Sequence, residues 1–164
     1  MDDLYRKQIL TKRIFITADK LGKDIDKTIK DKLDNEINGI CVKEGYIKPN
    51  TSSILLRSEG VLSINNFKSV IYYTIKFEAM ICNPSVGQIL ECYVSNVEKT
   101  NINCYIENED ESPLNIFLSK QYHIGNEEYG KLKEGDKIKI QVTGKKCEYL
   151  NREILVIANF LEKI

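Results

Sequence analysis

Residues 69–97, SVIYYTIKFEAMICNPSVGQILECYVSNV, constrain the fold more than any other stretch of this chain. Ile71, Tyr73, Ile75, Phe77, Ala79 and Ile81 share one parity; Tyr72, Thr74, Lys76 and Glu78 share the other. A strict period of two marks a half-buried strand, because successive side chains leave a pleated backbone on opposite faces. The segment Asn83, Pro84, Ser85, Val86, Gly87 ends the pattern, and a second alternation starts with Ile89, Glu91, Tyr93 and Ser95. Pro84 removes a backbone donor and fixes its φ, and Gly87 permits a tight entry into the second strand. Such a joint is too short to be a flexible linker. It predicts a seam between two small domains, residues 1–83 and 84–164.

The first half reads as α+β. Residues 9–17, ILTKRIFIT, are rich in β-branched side chains and predict a strand. A helix comes next, with Thr17 or Asp19 as N-cap and Leu21, Ile25, Ile29, Leu33 and Ile37 along one stripe. Gly39 stands where a left-handed C-terminal cap belongs. Residues 40–47 predict a short strand interrupted by Gly45, and residues 49–53 a loop. Residues 54–56 resume strand, Gly60 marks a turn or bulge, and Val61, Leu62 and Ile64 precede an Asn65-Asn66 turn. The sum is a strand, a helix and an antiparallel sheet.

The second half shows no helical period. Residues 89–97, 101–106, 115–118, 137–144 and 154–160 read as five short strands, with an irregular polar link over 119–133. That spacing predicts an all-β, five-stranded OB-type barrel.

Composition narrows the function. The 24 Lys and Arg balance 24 Asp and Glu, which excludes a strongly basic nucleic-acid binder but not a local patch. Residues 1–84 carry three more basic than acidic side chains, and residues 85–164 three fewer. No apolar run approaches a membrane span, and the charged N-terminus lacks the apolar core of a signal peptide, so a protein of the cell interior is expected. Cys41, Cys82, Cys92, Cys104 and Cys147 form no C-x-x-C pair, and with one His they make no structural zinc set. They read as reduced, buried thiols. The abundance of Lys over Arg, with Ile and Asn, points to an AT-rich genome.

No nucleotide-binding, zinc-protease or serine-hydrolase motif is present, so neither a catalytic residue, a cofactor nor a metal is expected. Glu107, Glu109, Asp110 and Glu111 lack calcium-loop spacing and read as a solvated loop. The barrel half offers a binding face instead. OB-type barrels stack bases on aromatics and hold phosphates with nearby cations. Tyr93, Tyr105 and Phe117 lie on its first three strands, and Tyr122 and His123 come after them in the link. Lys120, Lys139, Lys145 and Arg152 supply charge. The competing reading places part of these aromatics in the barrel core, and His123 on the surface as a polar residue.

The order of parts resembles a known family. A strand–helix–sheet half runs through GICVKEGYI, one residue shorter than the family's G-x-C-x-x-x-x-G-Y-I. It leads into a long strand with Tyr73, Phe77 and Ala79, a P-x-x-G hinge at Pro84 and Gly87, and a barrel. Residues 116–120, IFLSK, match its third barrel strand, and residues 135–142 its fourth. Together these are similar to the stalk subunit of multisubunit RNA polymerases, the seventh subunit of eukaryotic polymerase II and its archaeal E counterpart. Two positions depart from the pattern: Thr100-Asn101 stand where a Gly–aromatic pair opens the second barrel strand, and Cys92 replaces a Gly.

The resemblance implies a noncatalytic subunit of a DNA-directed RNA polymerase. Its first half would dock near the clamp through Lys43, Gly45, Tyr46, Ile47, Lys48 and Pro49. Its barrel would project toward nascent RNA, and a smaller stalk subunit would clasp the pair. A large DNA virus suits the compact, AT-biased chain, placing it in cytoplasm or virion; a cellular version would be nuclear. The alternative is a free-standing OB-fold protein that binds single-stranded RNA.

Overall fold

The computed structural model describes residues 4–22, 24–65, 68–106 and 112–164. The expected acidic loop at Glu107, Glu109, Asp110 and Glu111, and Asn66 of the expected turn, lie outside these residues. The described chain is mostly β-strand, with a closed five-stranded barrel and few helices. The α+β expectation for the first half is therefore met only in part. The chain divides into two compact units.

One unit holds Arg6–Asn38 and Ile47–Ile81. Its spine is β6 (Lys68–Cys82), on which Tyr73, Ile75, Phe77, Ala79 and Ile81 are buried, as the alternation predicts. β1 (Tyr5–Thr17) lies on one side of it. β4 (Ser53–Arg57) and β5 (Val61–Asn65) pair with it in succession, β5 at Lys68 to Tyr72 and β4 at Ile75 to Glu78. Between them the chain jogs at Ser58, whose N–H donates to Thr74 O at 3.0 Å and whose Oγ accepts from Thr74 N–H at 2.8 Å. Gly60 completes the jog. A Cβ there would stand 2.8 Å from Ile71 Cγ2 and 3.1 Å from the Tyr73 ring, so the position has room only for hydrogen.

The helix, α1 (Ile25–Ile37), buries Ile29, Leu33 and Ile37 of the predicted stripe. It starts later than the sequence suggests. Residues 18–20 form a 3-10 turn, and Asp24, not Thr17 or Asp19, is the N-cap, accepting from Lys27 N–H at 3.3 Å. Gly22, unfavourable inside a helix, separates the two turns and leaves Leu21 exposed. Ion pairs of Lys12 with Glu36 and of Arg57 with Asp26 tie α1 to β1 and β4. Lys30 reaches Asp34 and Ser52 O. Gly39 adopts φ 68°, as a left-handed cap position requires.

The other unit holds, among the described residues, Leu4 and Tyr5, Gly39–Tyr46 and Cys82–Ile164. Its barrel comprises β7 (Ile89–Val97), β8 (Asn101–Tyr105), β9 (Leu114–Ser119), β10 (Lys137–Lys146) and β11 (Ile154–Lys163). β7, β8 and β9 form an antiparallel meander; β10 returns to β7, and β11 closes the ring, antiparallel to β10 and parallel to β9. That strand order is OB-like. The inward parity on β7 is Leu90, Cys92 and Val94, opposite to the parity that opens with Ile89, which is exposed. Ile102 and Cys104, Ile116 and Leu118, and Ile138, Ile140 and Val142 fill the interior. Burying each aliphatic side chain contributes about 1.5–3 kcal/mol.

The link after β9 is more ordered than its composition suggests. Residues 120–123 make a 3-10 turn, and α2 (Glu127–Gly130) is capped by Asn126, whose Oδ1 accepts from Tyr129 N–H at 3.2 Å. Tyr129 is buried and its hydroxyl donates to Leu118 O at 2.9 Å. A two-strand hairpin, β2 (Cys41–Val42) and β3 (Gly45–Ile47), turns at Lys43-Glu44 rather than breaking at Gly45. Cys41 and Tyr46 of this hairpin join the buried cluster of the barrel. Cys41 N–H donates to Asn151 O at 2.7 Å, and Leu150 N–H to Cys41 O at 2.9 Å.

Candidate nucleic-acid interface

The outer face of β7, β8 and β9 results from their alternation. Ile102 and Cys104 point inward, so Asn101, Asn103 and Tyr105 point outward. Tyr93 pairs with Tyr105 across the ladder, and their rings stack with centroids 5.7 Å apart and planes 26° apart. Asn103 pairs with Phe117, and Asn101 with Ser119. Tyr93, Tyr105 and Phe117, three residues anticipated from sequence, therefore share one half-buried face. Lys120 is next in the chain; it is exposed, and its N–H donates to Thr100 O at 3.0 Å, beside the β7–β8 turn. Tyr122 is 71% exposed in the same turn.

The remaining anticipated residues do not join this face on equal terms. Lys139 pairs with Glu162 at 3.2 Å and faces Glu91, which also holds Lys137 at 3.2 Å. Those carboxylates oppose a phosphate there. Lys145 donates to Asn83 Oδ1 at 2.6 Å, and Arg152 is exposed in the β10–β11 loop.

His123 is corrected outright. It is buried, not a surface residue, and both ring nitrogens are used. Nε2 accepts from Phe160 N–H at 2.8 Å, so the proton sits on Nδ1, which donates to Ser119 O at 2.5 Å. The ring stacks on Tyr129 at 4.5 Å and 6°. Such an imidazole has no edge to offer RNA. It braces the 3-10 turn that carries Lys120 and Tyr122. Burial, then the Cys104 thiol, pushes the neighbouring Tyr129 hydroxyl above its ordinary range.

The anticipated docking segment also divides by burial. Lys43 and Pro49 are exposed and Lys48 is half-buried, whereas Gly45, Tyr46 and Ile47 are buried. A side chain like Ile47, with no exposed surface, cannot make a docking contact, so that part of the expectation is withdrawn. Exposed apolar side chains stand elsewhere, among them several on β4 and β5. Leu56 is 64%, Leu62 68% and Ile64 75% exposed. The signal in the sequence is the Leu55-Leu56 and Val61-Leu62 doublets, which break a period of two and so put apolar groups on both faces.

Asn101 and Asn103, which sequence reasoning did not single out, stand on the same parity of β8 as Tyr105. Among the described residues, Oδ1 of each is buried with no hydrogen-bond partner. Cys92 and Cys104 are buried free thiols on β7 and β8. Cys92 lies against Cys104, and that contact, with burial, raises its pKa; burial and the Cys147 thiol push Cys41 up to about 12.

No protein-family model matches the chain. A protein of Acanthamoeba polyphaga mimivirus, named "Putative DNA-directed RNA polymerase subunit", is 22% identical over 166 residues, covering 97% of this chain and 83% of that protein. No helix among the described residues is long and apolar enough to cross a membrane.

Proposed function

We propose that this chain is a noncatalytic subunit of a multisubunit DNA-directed RNA polymerase of the kind carried by large DNA viruses, built as a stalk. The observation that carries this reading is the collinear similarity to a viral protein so named, over 97% of the chain. The OB-like strand order supports a role in contacting nascent RNA, because that fold binds single strands on the outer face of its first three strands. The aromatic trio Tyr93, Tyr105 and Phe117, with Lys120, occupies that face.

Attachment to the polymerase core is assigned to β4 and β5. Leu62 and Ile64, opposite Ile71 and Ser69 on one face of the sheet, leave two large apolar side chains exposed there, and clustered exposed apolar groups suit an interaction surface. Affinity purification of the tagged chain from infected or expressing cells tests this. Large polymerase subunits should copurify, and Leu62→Asp with Ile64→Asp should release them while the circular dichroism of the chain is unchanged. A monomer that brings down no polymerase subunit yet binds single-stranded RNA would refute the subunit reading in favour of a free-standing RNA-binding protein.

A further inference from the structure

We propose that Cys41 and Cys147 form a reversible oxidation site, at which a small-molecule disulfide converts the two thiols into an intramolecular bond that fastens the β2–β3 hairpin to the β10–β11 loop. The proposal stands apart from RNA contact and from attachment to a polymerase.

Main chain and side chains both bring the two residues together. Cys41 N–H donates to Asn151 O at 2.7 Å, and Leu150 N–H donates to Cys41 O at 2.9 Å, so β2 runs alongside the loop that Cys147 opens. From that loop the Cys147 thiol donates to Val42 O at 3.7 Å, on the residue next to Cys41. The Cys41 thiol in turn donates to Glu153 O at 3.4 Å, at the far end of the same loop. The two thiols are in hydrogen-bonding contact with each other. Cys147 also packs against the buried cluster that contains Cys41. Two sulfurs far apart in sequence thus meet where the hairpin lies on the loop.

Unequal exposure gives the pair its order of reaction. Cys41 has no accessible surface, whereas Cys147 is half-buried. A reagent from solvent meets Cys147 first. Burial and the Cys147 thiol hold the proton on Cys41, which keeps it from competing as the first nucleophile. The Cys147 thiolate attacks one sulfur of oxidised glutathione; that S–S bond breaks, one glutathione leaves as a thiol, and a mixed disulfide remains on Cys147. Cys41 then gives up its proton and attacks the Cys147 sulfur, and the second glutathione leaves. Two protein thiols are oxidised and one glutathione disulfide is reduced to two thiols. Cys82 is a weaker partner: it acts on Cys41 through charge alone and is itself fully buried. Cys92 and Cys104 touch inside the barrel but lack an exposed member. A reducing compartment keeps the pair as thiols and an oxidising one closes it. Closure fixes the turn that carries exposed Lys43 against the loop that carries exposed Arg152.

The test uses the full chain, kept reduced or incubated with oxidised glutathione at about pH 8, where ordinary thiols are partly ionised. Both samples are unfolded, alkylated and mapped by non-reducing peptide mass spectrometry. The oxidised product should be a monomer with a Cys41–Cys147 cross-linked peptide and with Cys82, Cys92 and Cys104 alkylated. Because the bond closes a long loop in the unfolded chain, it should melt about 5–10 °C above the reduced chain, and dithiothreitol should remove the difference. Cys147→Ser, at a half-buried position, should leave Cys41, Cys82, Cys92 and Cys104 free after the same treatment and show no shift in melting. A reaction that stops at the mixed disulfide, a dimer linked through Cys147, or a bond from either thiol to Cys82 overturns the proposal. So does a cross-linked chain that melts lower than the reduced one, which would show that the sulfurs had to be pulled together, and so does a melting shift that survives in Cys147→Ser.

Discussion

The bracing of the Lys120 turn by His123 gives the sharpest stability prediction. In His123→Ala, Phe160 N–H loses its acceptor at 2.8 Å in a buried site, and Ser119 O loses its donor. An unpaired buried donor costs about 1–3 kcal/mol. Removing the ring also leaves a void against Tyr129, 4.5 Å away, and large-to-small changes in such sites cost roughly 2–5 kcal/mol. The two terms overlap, so a total of about 3–5 kcal/mol is expected. His123→Gln separates them. Its carbonyl can still accept from Phe160 N–H while the stack is lost, so it should retain about 1–2 kcal/mol relative to Ala. Urea unfolding monitored by far-UV circular dichroism suits a chain with no Trp. Amide hydrogen exchange of Phe160 reads the bond directly and should accelerate about tenfold for each 1.4 kcal/mol lost. A cost below about 1 kcal/mol for the Ala variant, or equal costs for Ala and Gln, would refute the bracing role.

Backbone and thiol geometry set two further outcomes. Leu150 holds φ 69° in the β10–β11 loop with its side chain 58% exposed, a conformation that costs a branched residue about 1–2 kcal/mol. Leu150→Asn, which tolerates that region, should raise the melting temperature by a few degrees, equivalent to about 0.5–1 kcal/mol; a decrease would show that the Leu side chain is held by contacts in the folded chain. The thiols predict the alkaline behaviour. With Cys41 pushed up to about 12 and Cys92 also raised, the folded chain keeps protons that the unfolded chain releases above the ordinary thiol range. Stability should therefore fall as pH climbs from about 9 toward 12, and a thiol reagent should label half-buried Cys147 while Cys92 and Cys104 react only on unfolding. Flat stability across that window would contradict the assignment.

The fold was legible where period and burial coincide. β6 buries five of the six residues that its parity selects, and β10 buries Ile138, Ile140 and Val142. A one-residue change of register would put all of them in water, so composition alone betrays their face. The helix stripe was equally plain, but its start was not. Thr17, Asp19 and Asp24 are all chemically competent caps, and the choice of Asp24 depends on Gly22 interrupting the backbone between them. The hairpin at Lys43-Glu44 was hidden for a related reason. Its partners Cys41 and Tyr46 are buried in a cluster whose other members lie from Cys82 onward, a long-range fact that no local pattern carries.

The candidate site shows a different limit. Alternation groups side chains by parity, yet it does not say which parity faces inward when both contain apolar groups. On β7 the set Ile89, Glu91, Tyr93 and Ser95 and the set Leu90, Cys92 and Val94 each hold apolar members, and only barrel closure decides that the second is interior. That decision places Tyr93 against Tyr105 on the outside. It also makes NINCY informative: with Ile102 and Cys104 inside, its asparagines must stand outside, beside the aromatics. His123 departs in the opposite direction. A lone imidazole in a polar stretch reads as surface, but a 3-10 turn folds it back onto Phe160 N–H, and the backbone of β11, distant in sequence, supplies the partner that makes burial favourable. The aromatic residues of that face were thus in view from the start, and the asparagines between them were not. What the three-dimensional arrangement adds is the separation of His123, which braces the turn, from Tyr93, Tyr105 and Phe117, which stand half-buried on the outer face.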